Sequence, residues 1–167
     1  MPIISLLQRL QQTPQTLGLF LSNYPNTDRL DNADNEEWHI NDVLFHLGYA
    51  EEKFLARFQK MASQNNTLIH LAIFTAEDQT ILKSDQTAEQ LLADFTRRRE
   101  KTIQFLKSLP PEKWKNIAYH PSYGQASLHF HVQNMFSHDR EHINQAQKIA
   151  DKSQQVQPTE QAESAVL

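Results

Sequence analysis

Two histidines four residues apart carry the clearest chemical signal in this 167-residue chain. On a helix, His138 and His142 project from one face, with their Cβ atoms about 6 Å apart. Two such imidazoles can reach one zinc ion at a nitrogen–metal distance of about 2.1 Å. The intervening residues differ from the metalloprotease pattern His-Glu-x-x-His, because Asp139 follows the first histidine. The pair therefore indicates a metal site of another kind.

A third ligand has to come from another helix, and His46 is the best candidate. It lies within a second strongly periodic segment, at the shoulder of the apolar stripe. His138 and His142 occupy the same kind of position beside the apolar arc of their own helix. Three neutral imidazoles leave at least one coordination position open, which is typical of catalytic zinc sites. The alternative interpretation is that all three are ordinary polar residues at the edge of the core, and spacing alone leaves both open.

Hydrophobic periodicity predicts the helices that would position these residues. Apolar residues recur every three to four positions in four segments, at about 3–21, 38–62, 89–109 and 127–150. Pro14 either kinks the first helix or starts a new one. A short helix is also expected at about 72–82, and residues 112–124 are expected to form an irregular connector. The chain has only 3 glycines, which favours helix over sheet.

The sequence therefore predicts an all-α protein, a four-helix bundle, in which metal sites lie between facing helices. The length suits one domain, assigned to residues 1–151. Residues 152–167 are rich in Gln, Glu and Ser, and their apolar content is too small to offset the entropy of ordering. We expect them to form a disordered tail.

Composition excludes several classes of protein. The chain has no cysteine, which excludes disulfide scaffolds, thiolate metal sites and cysteine nucleophiles. The net charge of −4 argues against a nucleic-acid partner. The sequence has neither a long apolar run nor a signal peptide pattern, which argues against a membrane location. We therefore expect a cytoplasmic protein.

Several short motifs also follow one another in a specific order along the chain. They are Trp-His-Ile-Asn-Asp-Val-Leu-Phe-His ending at His46, then Arg99, Leu-Pro-Pro-Glu-Lys-Trp ending at Trp114, His-Pro-Ser-Tyr-Gly starting at His120, and the segment 138–142. This order resembles the DinB-like family of four-helix-bundle metalloenzymes over about residues 5–150. The resemblance implies a divalent metal, zinc or nickel most often, held by one histidine of the second helix and two of the fourth. The matching positions here are His46, His138 and His142.

Three further residues are candidates for supporting the metal or binding substrate. Asp139 falls inside the apolar arc of its helix, where it either orients a ligand histidine or anchors a hydrogen bond between helices. Arg99, the last of three consecutive arginines, could clamp an anionic substrate or face solvent. Tyr123 could hydrogen-bond a substrate or pack at the helix junction. No residue is assigned a catalytic role from the sequence.

The resemblance also bears on function. Some members of the family are transferases or isomerases that use a low-molecular-weight thiol. We therefore expect a divalent-metal-dependent enzyme, with a thiol-dependent S-transferase acting on a small molecule as the first hypothesis. A metal-dependent hydrolase and a non-catalytic bundle that binds a metal or small ligand are the alternatives. The resemblance, together with Phe45 on the side opposite the apolar stripe, also predicts a homodimer.

Overall fold

Four long helices dominate the computed structural model, which describes residues 1–24, 38–69, 86–120 and 124–156. The helices are α1 (Ile3–Asn23), α2 (Ile40–Ser63), α3 (Ala88–Ser108) and α4 (Leu128–Val156). The predicted four-helix bundle is confirmed. Helix α4 extends through 152–156, the first part of the predicted tail. The predicted short helix at 72–82, Tyr123 and residues 157–167 lie outside the described residues.

The helix boundaries follow from local chemistry. Helix α3 begins with a capping box, in which Gln90 N–H donates to Thr87 Oγ1 at 3.3 Å and Thr87 N–H donates to Gln90 Oε1 at 3.0 Å. Helix α2 begins where His39 N–H donates to the Asp42 carboxylate at 2.7 Å. Helix α1 continues through Pro14, which is buried inside it. Of the two possibilities for Pro14, the start of a new helix is therefore wrong.

The segment expected to be an irregular connector contains regular structure. A 3₁₀-helix (Pro111–Lys115) precedes β2 (Ile117–His120) and β3 (Gly124–Ser127), which pair antiparallel. A further strand, β1 (Thr67–Leu68), pairs with β2 in parallel. Strands of two to four residues are too short for apolar alternation to reveal, so periodicity could not detect them. The expectation of an irregular connector was wrong, although the sheet is small beside the helices.

The core consists of two apolar clusters with a polar layer between them. One cluster joins the first half of α1 to the second half of α2, and the other joins the opposite halves of the same helices. Between the clusters lie buried polar residues, one from each helix: Thr13, Glu51, Arg99 and Asp139. The polar layer therefore crosses the bundle at mid-height. Among the described residues, no helix is long and apolar enough to cross a membrane.

Candidate metal centre

Three histidines from two helices converge near this layer. His46 Nε2 on α2 lies 3.0 Å from His138 Nε2 on α4. One ring nitrogen of each of these residues and of His142 can be chosen so that all lie within 4.8 Å of one another. Ligands of a tetrahedral zinc ion at about 2.1 Å lie about 3.4 Å from each other. The three rings therefore fit one cation with small adjustments of their side chains.

Electrostatics keeps these imidazoles neutral. Burial, and then the neighbouring His142 and His138, lower the pKa of His46 to about 3. Burial, His142 and the Arg99 guanidinium lower the pKa of His138 to about 3. Burial also lowers the pKa of His142, against the effect of its hydrogen bond to Gln145. At neutral pH each ring has a lone pair available for a metal, which binds only the neutral form.

The orientation of the rings is set by their neighbours. His142 Nδ1 lies 2.8 Å from Gln145 Oε1, one turn further along α4. Because the amide oxygen can only accept, Nδ1 carries the proton and Nε2 is the nitrogen left for a metal. Trp38 stacks on the His142 ring, with centroids 5.8 Å apart and planes 9° apart. On the other side, Phe54 meets the His138 ring edge-on, with centroids 5.4 Å apart.

The same turn of α4 carries a second polar arrangement, in which Arg99 joins two carboxylates. Arg99 Nη2 donates to Glu51 at 2.8 Å, and Arg99 Nη1 donates to Asp139 at 2.7 Å. All three side chains are 2% exposed. Asp139 also accepts a hydrogen bond from the Thr13 hydroxyl at 3.1 Å. We call these four residues the arginine network.

A proline in α1 supplies one more acceptor for this guanidinium. Pro14 has no N–H, so the carbonyl of Leu10 lacks its usual helical partner. Arg99 Nη1 donates to this carbonyl at 3.0 Å. With the bonds to the carboxylates, every N–H of Arg99 then has an acceptor. Arg99 on α3 therefore satisfies the carbonyl that Pro14 leaves without a donor on α1.

The arginine network decides between the alternatives for two candidates. Arg99 is 2% exposed, so the solvent-facing interpretation of it was wrong. Its N–H groups donate to Glu51, Asp139 and the Leu10 carbonyl, and a substrate role for it stays a prediction. Asp139 takes the role of an anchor between helices. Glu51 and Thr13 were not predicted as site residues, although Glu51 is the one polar residue in the apolar stripe of α2 and this position marks it out. Tyr123 lies outside the described residues.

Comparisons with known proteins agree with this architecture. The sequence profile of the DinB superfamily matches residues 9–146. The chain belongs to the DinB superfamily. The matched region contains all three histidines and the arginine network. A search of curated proteins found no match to the chain.

A solved structure shares this four-helix fold. It is YfiT from Bacillus subtilis, with a TM-score of 0.69 and 17% sequence identity. The similarity covers 90% of this chain and 86% of YfiT. YfiT is described as a probable metal-dependent hydrolase with an unusual four-helix bundle topology. At this identity the comparison establishes a common fold.

Proposed function

We propose that this DinB protein is a divalent-metal-dependent enzyme that activates a low-molecular-weight thiol for transfer to a small electrophile. The observation that carries the proposal is the convergence of His46, His138 and His142, with one nitrogen of each within 4.8 Å of the others. A cation held there would supply Lewis acidity, which lowers the pKa of a thiol or a water molecule. In the transfer, a sulfur–carbon bond forms, the bond to the leaving group breaks, and the thiol proton passes to solvent.

The protein's own residues hold and orient this site. The three histidines offer neutral nitrogens, and Gln145 selects the tautomer of His142. Trp38 and Phe54 place aromatic surface against the rings, which limits access of water. These features support a site for a metal with room for one more ligand.

The position of the carboxylates favours a thiol over water as the nucleophile. Among the described residues, the two buried carboxylates near the site, Glu51 and Asp139, are both bound by Arg99. Because both carboxylates already accept hydrogen bonds from the guanidinium, neither is a ready acceptor for a proton from water. A free thiol has an ordinary pKa of about 8.5, far below that of free water, so a thiol needs less help to ionise.

A metal-dependent hydrolase is the second candidate, because the fold relative YfiT is described as one. Zinc or nickel remains the proposed cofactor, since imidazole nitrogen suits both metals. Elemental analysis of protein purified without added metal identifies the ion. The proposed partner is a small molecule, and the homodimer stays a prediction, which light scattering at micromolar concentration checks.

The test is consumption of a chromogenic aryl halide and of an aryl ester by zinc- or nickel-loaded protein, with and without a thiol. Consumption of the halide that requires both metal and thiol supports the transferase. Thiol-independent cleavage of the ester supports the hydrolase instead. Tight metal binding without turnover of either compound would point to the non-catalytic alternative. His142→Ala must remove the activity, whereas His129→Ala, on the same helix, must retain it.

A further inference from the structure

A second group of nitrogen-bearing side chains lies along the same two helices. Arg57 follows His46 by eleven residues on α2, and His131 precedes His138 by seven residues on α4. At about 100° per residue, Arg57 lies within about 20° of His46 around the axis of α2. His131 likewise lies within about 20° of His138 around the axis of α4. Helices α2 and α4 pack against each other. Both residues are therefore displaced from the three histidines along one seam between the helices.

His131 is the member of this group that most needs an explanation. Its side chain is 1% exposed, and neither ring nitrogen has a hydrogen-bond partner among the described residues. A buried polar group without a partner lowers stability, so most such groups in native proteins are satisfied. Nothing in the arginine network or the metal centre uses this ring. A ligand that reaches it would supply the missing hydrogen bond.

Two neighbours of His131, Arg57 and His120, make its surroundings suitable for binding an anion. Burial, the Arg57 guanidinium and His120 lower the pKa of His131 to about 4. The ring is then neutral at pH 7, with one N–H to donate. His120, at the end of β2, is 4% exposed, and its ring centroid lies 6.0 Å from that of His131. Arg57 brings the positive charge and the planar fork that suits a carboxylate.

The distance to the metal centre can be estimated from the helix rise. Seven residues at about 1.5 Å each place His131 about 10 Å from His138 along α4. Phe54 lies between the two groups, since its ring centroid is 5.4 Å from that of His138 and 5.9 Å from Arg57 Cζ. The seam therefore runs from three histidines, past an aromatic ring, to Arg57, His120 and His131.

We propose that Arg57, His131 and His120 bind a carboxylate of the small molecule whose reacting end lies at the three histidines. This inference rests on the proposed function and specifies its ligand. The ligand is an acid with an apolar middle section that crosses Phe54 and a carboxylate about 10 Å from the metal-binding atom. Arg57 and the N–H of His131 donate to that carboxylate.

The first experiment tests the carboxylate site without metal or thiol. Octanoate and octanol are titrated into the metal-free protein, and the imidazole resonances are followed by NMR. The resonances of His131 and His120 are expected to shift with octanoate, and much less with octanol. If they do not respond to octanoate, the carboxylate site is refuted, whatever the metal centre does. Metal binding is measured separately, so failure of the proposed function is distinguishable from failure of this inference.

The second experiment tests whether one ligand reaches from the three histidines to Arg57 and His131, by calorimetry on zinc-loaded protein. ω-Mercaptooctanoate is expected to bind about tenfold more tightly than ω-mercaptooctanol, the contribution of a hydrogen bond to a charged group. Arg57→Gln and His131→Phe should each remove most of this ratio while zinc affinity is retained. Arg140→Gln is the matched control, because Arg140 is exposed and lies about 200° from His138 around α4. A ratio that stays the same in Arg57→Gln would overturn the proposal.

Discussion

His138 and Asp139 are neighbours on α4, yet they belong to two polar regions with opposite properties. Asp139 is held by the arginine network, in which the guanidinium meets an acceptor at every N–H. His138 belongs to a group of three neutral rings whose nitrogens converge. Its own Nδ1 is buried without a hydrogen-bond partner among the described residues. The hydrogen bonds of the arginine network are made within the protein, so this network holds the helices together. The converging nitrogen lone pairs of the three histidines instead offer a binding site for a cation.

The largest expected effect is on the histidine group. His142→Ala should abolish tight zinc binding, because it removes a ligand, and loss of a supporting residue alone usually costs about 10–100-fold in affinity. Calorimetric titration of zinc into metal-free protein measures this. His129→Ala is the control, because that residue lies on the same helix beside Trp114, with ring centroids 6.2 Å apart. Equal losses in both variants would mean that zinc binds adventitiously and that the two regions do not differ as described.

The next effect is on the arginine network. Arg99→Leu leaves Glu51 and Asp139 buried without their cation, and breaking a buried ion pair in this way costs about 3–5 kcal/mol of unfolding free energy. Urea denaturation of the metal-free protein measures the change. The exposed Arg97→Leu, two residues earlier, should change stability by less than about 0.5 kcal/mol.

A triple variant sharpens this prediction. Replacing Glu51, Arg99 and Asp139 together by apolar residues of similar volume should restore much of the stability, because no buried charge is left unpaired. If the triple variant keeps its zinc affinity, the network supports the fold and the histidines hold the metal independently. If zinc affinity is lost with the fold intact, the network positions His138 as well.

The sequence predicted the helices well because each depends on a long repeated pattern. Helix α2 was predicted at 38–62 and is found at Ile40–Ser63. The grouping of His46 with His138 and His142 came from their shoulder positions together with family resemblance, and the structure places them together. The metal role itself stays a prediction.

The parts that sequence could not predict depend on contacts between distant segments. Arg99 and Glu51 are 48 residues apart, and their partnership is invisible to a helical wheel. The partnership of Pro14 with Arg99 through the Leu10 carbonyl depends on how α1 and α3 pack. The surroundings of His131 could not be predicted either, because its neighbours across the bundle cannot be identified from spacing.

An intermediate effect concerns the stability of the metal-free protein against pH. His46 and His138 have folded pKa values of about 3, whereas unfolded histidine titrates near pH 6.5. Between these values the unfolded chain binds more protons, so stability falls as pH falls from about 6.5 towards 3. The slope is at most about 1.4 kcal/mol per pH unit for each histidine.

Urea midpoints at several pH values measure this slope. The double variant His46→Gln, His138→Gln should show a flatter dependence than the wild type. Burial raises the pKa of Glu51, and its contribution has the opposite sign, but it is present in both proteins and cancels in the comparison. An equal slope in both proteins would show that the rings of His46 and His138 are not kept neutral by the fold.

The smallest expected effect is on zinc affinity when the orientation of the His142 ring is disturbed but the number of ligand nitrogens is kept. Gln145→Ala removes the acceptor that lies 2.8 Å from His142 Nδ1, while all three ring nitrogens remain. Residues that hydrogen-bond a ligand histidine in this way contribute about 10–100-fold to metal affinity, and the half-buried position of this contact favours the lower end, about tenfold. Gln145→Glu also offers an acceptor and should retain or increase zinc affinity, whereas Gln147→Ala, which removes a bond to Tyr24 on the exposed surface, should leave it unchanged. Since calorimetry reports affinity and far-ultraviolet circular dichroism reports the fold, a tenfold loss with an unchanged melting curve would assign Gln145 to the metal centre. Unchanged affinity in Gln145→Ala would show that packing against Trp38 alone orients the His142 ring.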